Sequence, residues 1–212
     1  MLVSGLCVIT MEEILDKLLY EKQEIENGAK YVAGIDEVGR GPLAGPVVCS
    51  AVILPLDDII EGIDDSKKLS KKKRELLYDK IIEKAIAYTI CEIQADEIDK
   101  INILEATKKC MKNCIETLTV TPDVVLIDAV KLDVSVKTVP IIKGDLKSYS
   151  IGAASILAKV YRDRLMEEYS KTYPGYGFER NSGYGTKEHI QRLKEVGSCP
   201  IHRKTFIKNF SE

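Results

Sequence analysis

A chain of 212 residues with 45% apolar and 30% charged side chains is long enough for one ordinary globular domain, whose core at this size needs neither disulfide nor structural metal. A net charge of −2 does not mark a polyanion binder, and no apolar run approaches the ~20 residues of a membrane helix. Residues 1–10 are apolar but lack the basic leader and cleavage site of a secretory signal, and Met11 offers a second possible start.

In chain order, residues 12–26 carry Ile14, Leu15, Leu18, Leu19 and Ile25 at helical spacing and predict a surface helix. A first strand is expected at 31–37, ending on two adjacent acids, Asp36 and Glu37. The turn GRGPLAGP leads into a β-branched strand at 47–54, and the two should form an antiparallel hairpin. Five acids between Asp57 and Asp65 give way to Lys67, Lys68, Lys71, Lys72, Lys73 and Arg74, a run that reads first as a solvated helix start. Ser70 caps a helix to about Ala85, and residues 86–93 alternate like a third strand.

Leu104, Thr107, Met111, Cys114, Ile115 and Leu118 stripe one long helix ending before Pro122. The run Val124–Ile127 enters Asp128 as a strand buried on both faces, and residues 139–142 predict another before Lys143-Gly144-Asp145. A helix from Ile151 to about Tyr169, a loop rich in Tyr, Gly and Pro at 172–185, and a helix from Thr186 to near Gly197 follow. Strands clustered first and then alternating with helices indicate an α/β sheet of mixed direction with helices packed on it. The six cysteines lack metal-ligand spacing and read as small apolar residues of a reduced core, with Cys110 and Cys114 on one helical face.

Asp36-Glu37, Asp128 and Asp145 each stand where a predicted strand runs out, the end at which ligands gather when crossovers are parallel. Hard oxygen donors there suit Mg²⁺ or Mn²⁺. Neighbouring residues of a regular strand point to opposite faces, so Asp36 and Glu37 share one cluster only through a backbone bend or a backbone carbonyl ligand. Gly39 and Gly41 would make a bend cheap.

The segments GIDEVGRGPLAGP, LIDA, IIKGDLKSYSIGAASILAKVYRDR and NSGYGT with its following His, in this order from about residue 31 to 189, closely resemble bacterial ribonuclease HII. The resemblance implies a ribonuclease H-like domain over 31–212, a mixed five-stranded sheet flanked by helices with additional C-terminal helices, after an extension and helix at 1–30. It implies catalytic metal ligands at Asp36, Glu37, Asp128 and Asp145 for two divalent cations, Mg²⁺ or Mn²⁺. It implies that Gly39, Arg40 and Gly41 meet a ribonucleotide through backbone contacts and that Tyr184 stacks on the next deoxyribose. Many relatives carry Gly where this chain has Ala129.

The expected activity is two-metal hydrolysis of RNA hybridised to DNA, or of single ribonucleotides embedded in duplex DNA, leaving 3′-hydroxyl and 5′-phosphate ends. Asp36 and Asp128 are expected at the crowded centre, with Glu37 and Asp145 each completing one metal. Lys143, Lys147, Lys159 and Arg162 are candidate phosphate contacts, with Lys159 foremost. The expected protein is a cytoplasmic monomer without membrane contact, with a replication clamp as a candidate partner. Rival readings are a ribonuclease HIII-like nuclease, a non-catalytic hybrid-binding protein and a small-molecule phosphatase.

Overall fold

The computed structural model describes residues 16–210. Five strands form one sheet: β1 (Val32–Val38), β2 (Val47–Ile53), β3 (Ala87–Ile93), β4 (Val124–Asp128) and β5 (Lys137–Ile141), in the order β3-β2-β1-β4-β5. The first three pair antiparallel, as the hairpin reading required, while β4 and β5 run parallel to β1. β4 is buried on both faces, which accounts for its unbroken apolar run.

Among the helices are α1 (Leu19–Glu26), α2 (Lys71–Lys84), α3 (Ala95–Ile101), α4 (Ile103–Thr117), α5 (Gly144–Lys147), α6 (Tyr149–Thr172), α7 (Phe178–Asn181), α8 (Lys187–Val196) and α9 (Lys204–Ile207). α4 covers one face of the sheet and buries Cys110, Met111 and Cys114 against Ala33, Ile35 and Cys49. Cys110 and Cys114 therefore share the face their spacing foretold. α6 covers the other face. It approaches β1 so closely that a Cβ on Gly34 would lie 2.1 Å from the Ser150 carbonyl carbon. A third apolar cluster joins Leu43 and Ala44 of the GRGPLAGP turn to Met166, Phe178, Leu193 and Ile201. The turn is thereby seated on the C-terminal helices.

Three features of the fold were not given by the sequence reading. The long helix is preceded by α3, with the two separated by Asn102 at φ 67°. The Asn102 side chain accepts from Leu104 and Glu105 and starts a new helix there. Second, α1 does not turn its apolar residues uniformly inward: Leu18 is buried, but Leu19 and Ile25 are exposed, while Glu21 and Glu24 are buried. Glu21 accepts from the Ser148 hydroxyl (2.6 Å) and the Ser150 amide (2.9 Å), so its carboxylate meets the N-terminus of α6. Glu24 takes Lys137 at 2.5 Å. Ile14, Leu15 and Cys7 lie outside the described residues. Third, β1 does not bend at its acidic pair. The ladder to β2 continues unbroken through Asp36↔Ser50, Glu37↔Cys49 and Val38↔Val48.

Candidate active site

Because β1, β4 and β5 are adjacent and parallel, their carboxyl ends lie at one edge of the molecule. Asp36 and Glu37 stand near the end of β1, Asp128 ends β4, and Asp145 follows β5 in the first turn of α5. The pairing Ile35↔Ile127 sets Asp128 level with Asp36. Alternation along the straight strand sends Asp36 to the α6 face, near Ser155, and Glu37 to the α4 face. Asp128, one strand over, acts electrostatically on Asp36, Glu37 and Asp145 alike. The structure thus brings all four predicted acids to one edge, with Asp128 as the hub, Asp36 and Glu37 on opposite faces of the sheet and Asp145 beyond β5.

Their surroundings are those of anions without enough cation. Burial, followed by Glu37 and Asp128, pushes the Asp36 carboxyl well above the usual carboxylate range, with Ser155 opposing. Burial also raises Glu37, although Arg40 works against it from 3.3 Å. Asp145 is raised by burial and then by Asp65 and Asp128, against Lys67 at 3.6 Å. Lys67 is held above its ordinary value, since Asp145, Asp65 and Asp36 together outweigh its own burial. The basic run after Asp65 therefore opens on the same side as the acids.

Two buried oxygens here have no hydrogen-bond partner: Glu37 Oε2, and the Ser50 hydroxyl directly across from Asp36. Orphaned polar atoms of this kind are costly. Oxygen donors, crowding and an unsatisfied carboxylate oxygen together fit a hard divalent cation. Among the described residues no three His, Cys, Asp or Glu side chains already surround one point. Asp128 is positioned by the Gly144 amide, which donates to its Oδ1 at 2.9 Å. The next residue, Ala129, takes φ 50°, a left-handed conformation in which a side chain costs energy that glycine avoids.

The turn and Tyr184 lie side by side. A Cβ on Gly41 would come 3.6 Å from Tyr184 Cε1, and the Leu43 amide donates to the Gly183 carbonyl at 2.8 Å. Tyr184 is exposed and Arg40 reaches solvent while holding Glu37. Among the described residues the amides of Gly39, Arg40 and Gly41 have no hydrogen-bond partner. Lys159 is occupied by Asp163 at 2.6 Å, which also faces Arg74 at 3.6 Å.

Arg162 cannot serve as a phosphate contact. It is wholly buried, and its guanidinium donates to the carbonyls of Pro46, Ala44 and Ser182. Its place on the polar-looking stripe of α6 misled the sequence reading, because the C-terminal segment covers that stripe. Arg203, which sequence reasoning missed, is also wholly buried and donates to Gly39, Arg40 and Gly45. Nothing in its local sequence, Ile201-His-Arg-Lys, marks it out.

The two histidines form a buried chain behind Tyr184. Nδ1 of His189 lies 2.9 Å from the Tyr184 carbonyl, which can only accept, so that nitrogen carries the proton. Its Nε2 must then accept from His202 Nε2 at 2.9 Å, and His202 Nδ1 accepts from the Cys199 amide at 2.9 Å. Burial lowers His189, and burial with His189 pulls His202 down to about 4, so both rings are neutral at pH 7. His189 therefore serves to hold the Tyr184 backbone rather than to move protons at the acids.

The ribonuclease HII family model matches residues 33–209. The chain is 56% identical to ribonuclease HII of Ruminiclostridium cellulolyticum over 203 residues, covering 95% of this chain and 80% of that protein. It is 57% identical to the Enterococcus faecalis ribonuclease HII, covering 88% and 73%. Among solved structures, ribonuclease H2 from Pyrococcus horikoshii superposes with a TM-score of 0.74 at 28% identity, over 85% of this chain and 97% of that one. RNase HII from Archaeoglobus fulgidus, solved as a complex with PCNA, gives 0.71 at 26% identity over the same shares. With the sheet order, the acidic edge and these matches in agreement, the chain belongs to the ribonuclease HII family of enzymes.

Proposed function

We propose that this ribonuclease H cuts the RNA strand of RNA–DNA hybrids and also cuts at single ribonucleotides embedded in duplex DNA, leaving 3′-hydroxyl and 5′-phosphate ends. The observation that carries the reading is the convergence of Asp36, Glu37, Asp128 and Asp145 on the carboxyl ends of three adjacent parallel strands. These four acids would hold a pair of Mg²⁺ or Mn²⁺ ions, and Glu37 Oε2 has no other partner. Such a pair supplies an activated water and stabilises the departing 3′-oxygen.

The protein's own groups supply position and choice. Gly144 fixes the Asp128 carboxylate through its amide. Free amides on the Gly39-Arg40-Gly41 turn can approach a 2′-hydroxyl that a side chain would crowd out. Tyr184, beside Gly41, presents an exposed ring to the sugar that follows. Lys159 would join the substrate only by exchanging Asp163 for a phosphate.

The work that fits is removal of misincorporated ribonucleotides and primer RNA in the cytoplasm. No helix among the described residues is long and apolar enough to cross a membrane. The archaeal relative solved with PCNA supports a replication clamp as protein partner.

The test is a DNA duplex carrying one ribonucleotide, assayed with and without Mg²⁺, for the parent protein and Asp128→Asn. The parent should cut only with the ion, and Asp128→Asn should bind without cutting. Wild-type speed in that variant would remove the metal-site assignment. Turnover of a simple phosphate monoester, with the duplex left intact, would favour a phosphatase.

A further inference from the structure

Beneath the 39–46 turn sit two arginines whose bonding is unusual for buried charge. Arg162 of α6 donates from Nε to Pro46 (2.9 Å), from Nη1 to Ser182 (2.9 Å) and from Nη2 to Ala44 (3.2 Å). Arg203, just before α9, donates from Nε to Gly45 (3.0 Å), from Nη1 to Arg40 (2.9 Å) and from Nη2 to Gly39 (2.5 Å) and Gly45 (2.9 Å). Every acceptor is a neutral carbonyl. Asp163 acts on Arg162 and Asp99 on Arg203 only at a distance, being bonded to Lys159 and faced by Arg74, and bonded to the amides of Lys204 and Thr205, respectively. Gly39 leaves space for one fork, since a Cβ there would lie 2.3 Å from Arg162 Nε.

Two buried like charges without a contacting anion are costly to the fold. Burial pulls Arg162 down to about 10 and Arg203 to about 9, the latter also through Arg162, which leaves both charged at pH 7. Among the described residues no carboxylate contacts either guanidinium, so the pair sets unpaired positive charge behind the turn.

The turn shows where it arrives. All described peptide bonds are trans, so a carbonyl and the amide of the next residue point in opposite directions. With the Gly39 and Arg40 carbonyls drawn inward onto Arg203, the Arg40 and Gly41 amides face away from it. Among the described residues neither of these amides has a hydrogen-bond partner. Aligned peptide dipoles with two positive charges behind them form an anion-seeking concavity.

We infer that Arg162 and Arg203 are positioning residues whose unpaired charge, carried through the glycine turn, draws a nucleic-acid phosphate flanking the ribonucleotide onto the Arg40 and Gly41 amides, leaving the Gly39 amide to the 2′-hydroxyl. The substrate itself is the missing counter-anion. This rests on the proposed reading that the turn meets the ribonucleotide.

A charge cycle tests it. Binding is measured for the Asp128→Asn protein on duplex DNA with one ribonucleotide. The linkages on either side are replaced in turn by uncharged methylphosphonate. One replacement should weaken binding by about tenfold or more, the scale of a charge-assisted hydrogen bond. Adding Arg203→Gln or Arg162→Gln should weaken the all-phosphate duplex similarly and remove the sensitivity to methylphosphonate. Arg203→Lys, which keeps charge without the fork, should stay sensitive.

Gln variants that fold, by their melting curves, and remain as sensitive as the parent would overturn the inference. If they do not fold, Arg203→Lys decides: sensitivity supports the inference, and its loss overturns it. A parent that binds the ribonucleotide duplex no better than all-DNA would instead fault the reading of the turn.

Discussion

Replacing Asp36 with Asn should make the metal-free protein more stable while destroying its activity. Asp36 is only 6% exposed, and burial, Glu37 and Asp128 all work against its charge. Asn keeps the size, can still pair with Ser155, and removes one anion from the cluster. A gain of about 1–2 kcal/mol is expected for relieving a functional strain of this kind. For a protein of this length that corresponds to about 2–8 °C in melting temperature.

The sign with pH follows from the raised carboxyl. The folded protein keeps a proton that the unfolded chain releases near pH 4. Metal-free stability therefore falls as pH rises from that point through the elevated folded value, and Asn should flatten the slope. In Mg²⁺ the order should reverse, since ion binding stabilises only the protein that retains its ligands. Turnover should drop by about a hundredfold or more, the scale of losing a preorganised charge-stabilising group. The assay is thermal melting across pH 5–8 in chelator and in Mg²⁺, alongside cleavage of the one-ribonucleotide duplex. An Asn variant that melts below the parent in chelator, with an unchanged pH slope, would refute the picture of strained carboxylates.

Ala129→Gly should raise melting temperature by about 2–4 °C, since a left-handed alanine costs about 1 kcal/mol or more; an unchanged or lower value would show that the conformation is not strained. Tyr184→Ala should harm cutting at an isolated ribonucleotide more than cutting of a long hybrid, and equal losses would make the ring a packing residue only. Activity should fall toward acid pH as Asp36, Glu37 and Asp145 take up protons, beginning above the range of ordinary carboxylates because burial raises all three. Raising Mg²⁺ should move that limb to lower pH, because ion and proton compete for the same oxygens; a limb indifferent to Mg²⁺ would place the titrating group elsewhere.

The sheet was legible because its pattern is local. Alternation in β3, the double-sided run of β4 and the glycine-proline turn after β1 each follow from neighbouring residues. The four acids could be placed at strand ends for the same reason. Contacts between distant segments were not legible. Asn102, at φ 67°, divides two helices by reaching its own next turn, a break that the apolar spacing on either side did not mark. Glu21 reads as a surface charge until Ser148 and Ser150 fold against it. Arg162 reads as solvated for the same reason, and Arg203 meets residues 158 to 164 positions earlier. The straight course of β1 was also hidden, since the glycines that follow it would have permitted a bend.

The clasp of Arg203 on residues 39–45 bears on when this nuclease becomes competent during its own synthesis. The acids, the sheet and the long helix over it are all made earlier, but the glycine turn gains its bonds to Arg203 only when the chain has grown that far. A nascent chain short of that point can gather its carboxylates while residues 39–45 still lack their clasp. If the turn reads ribose as proposed, choice of substrate is then a property the molecule acquires late in its translation.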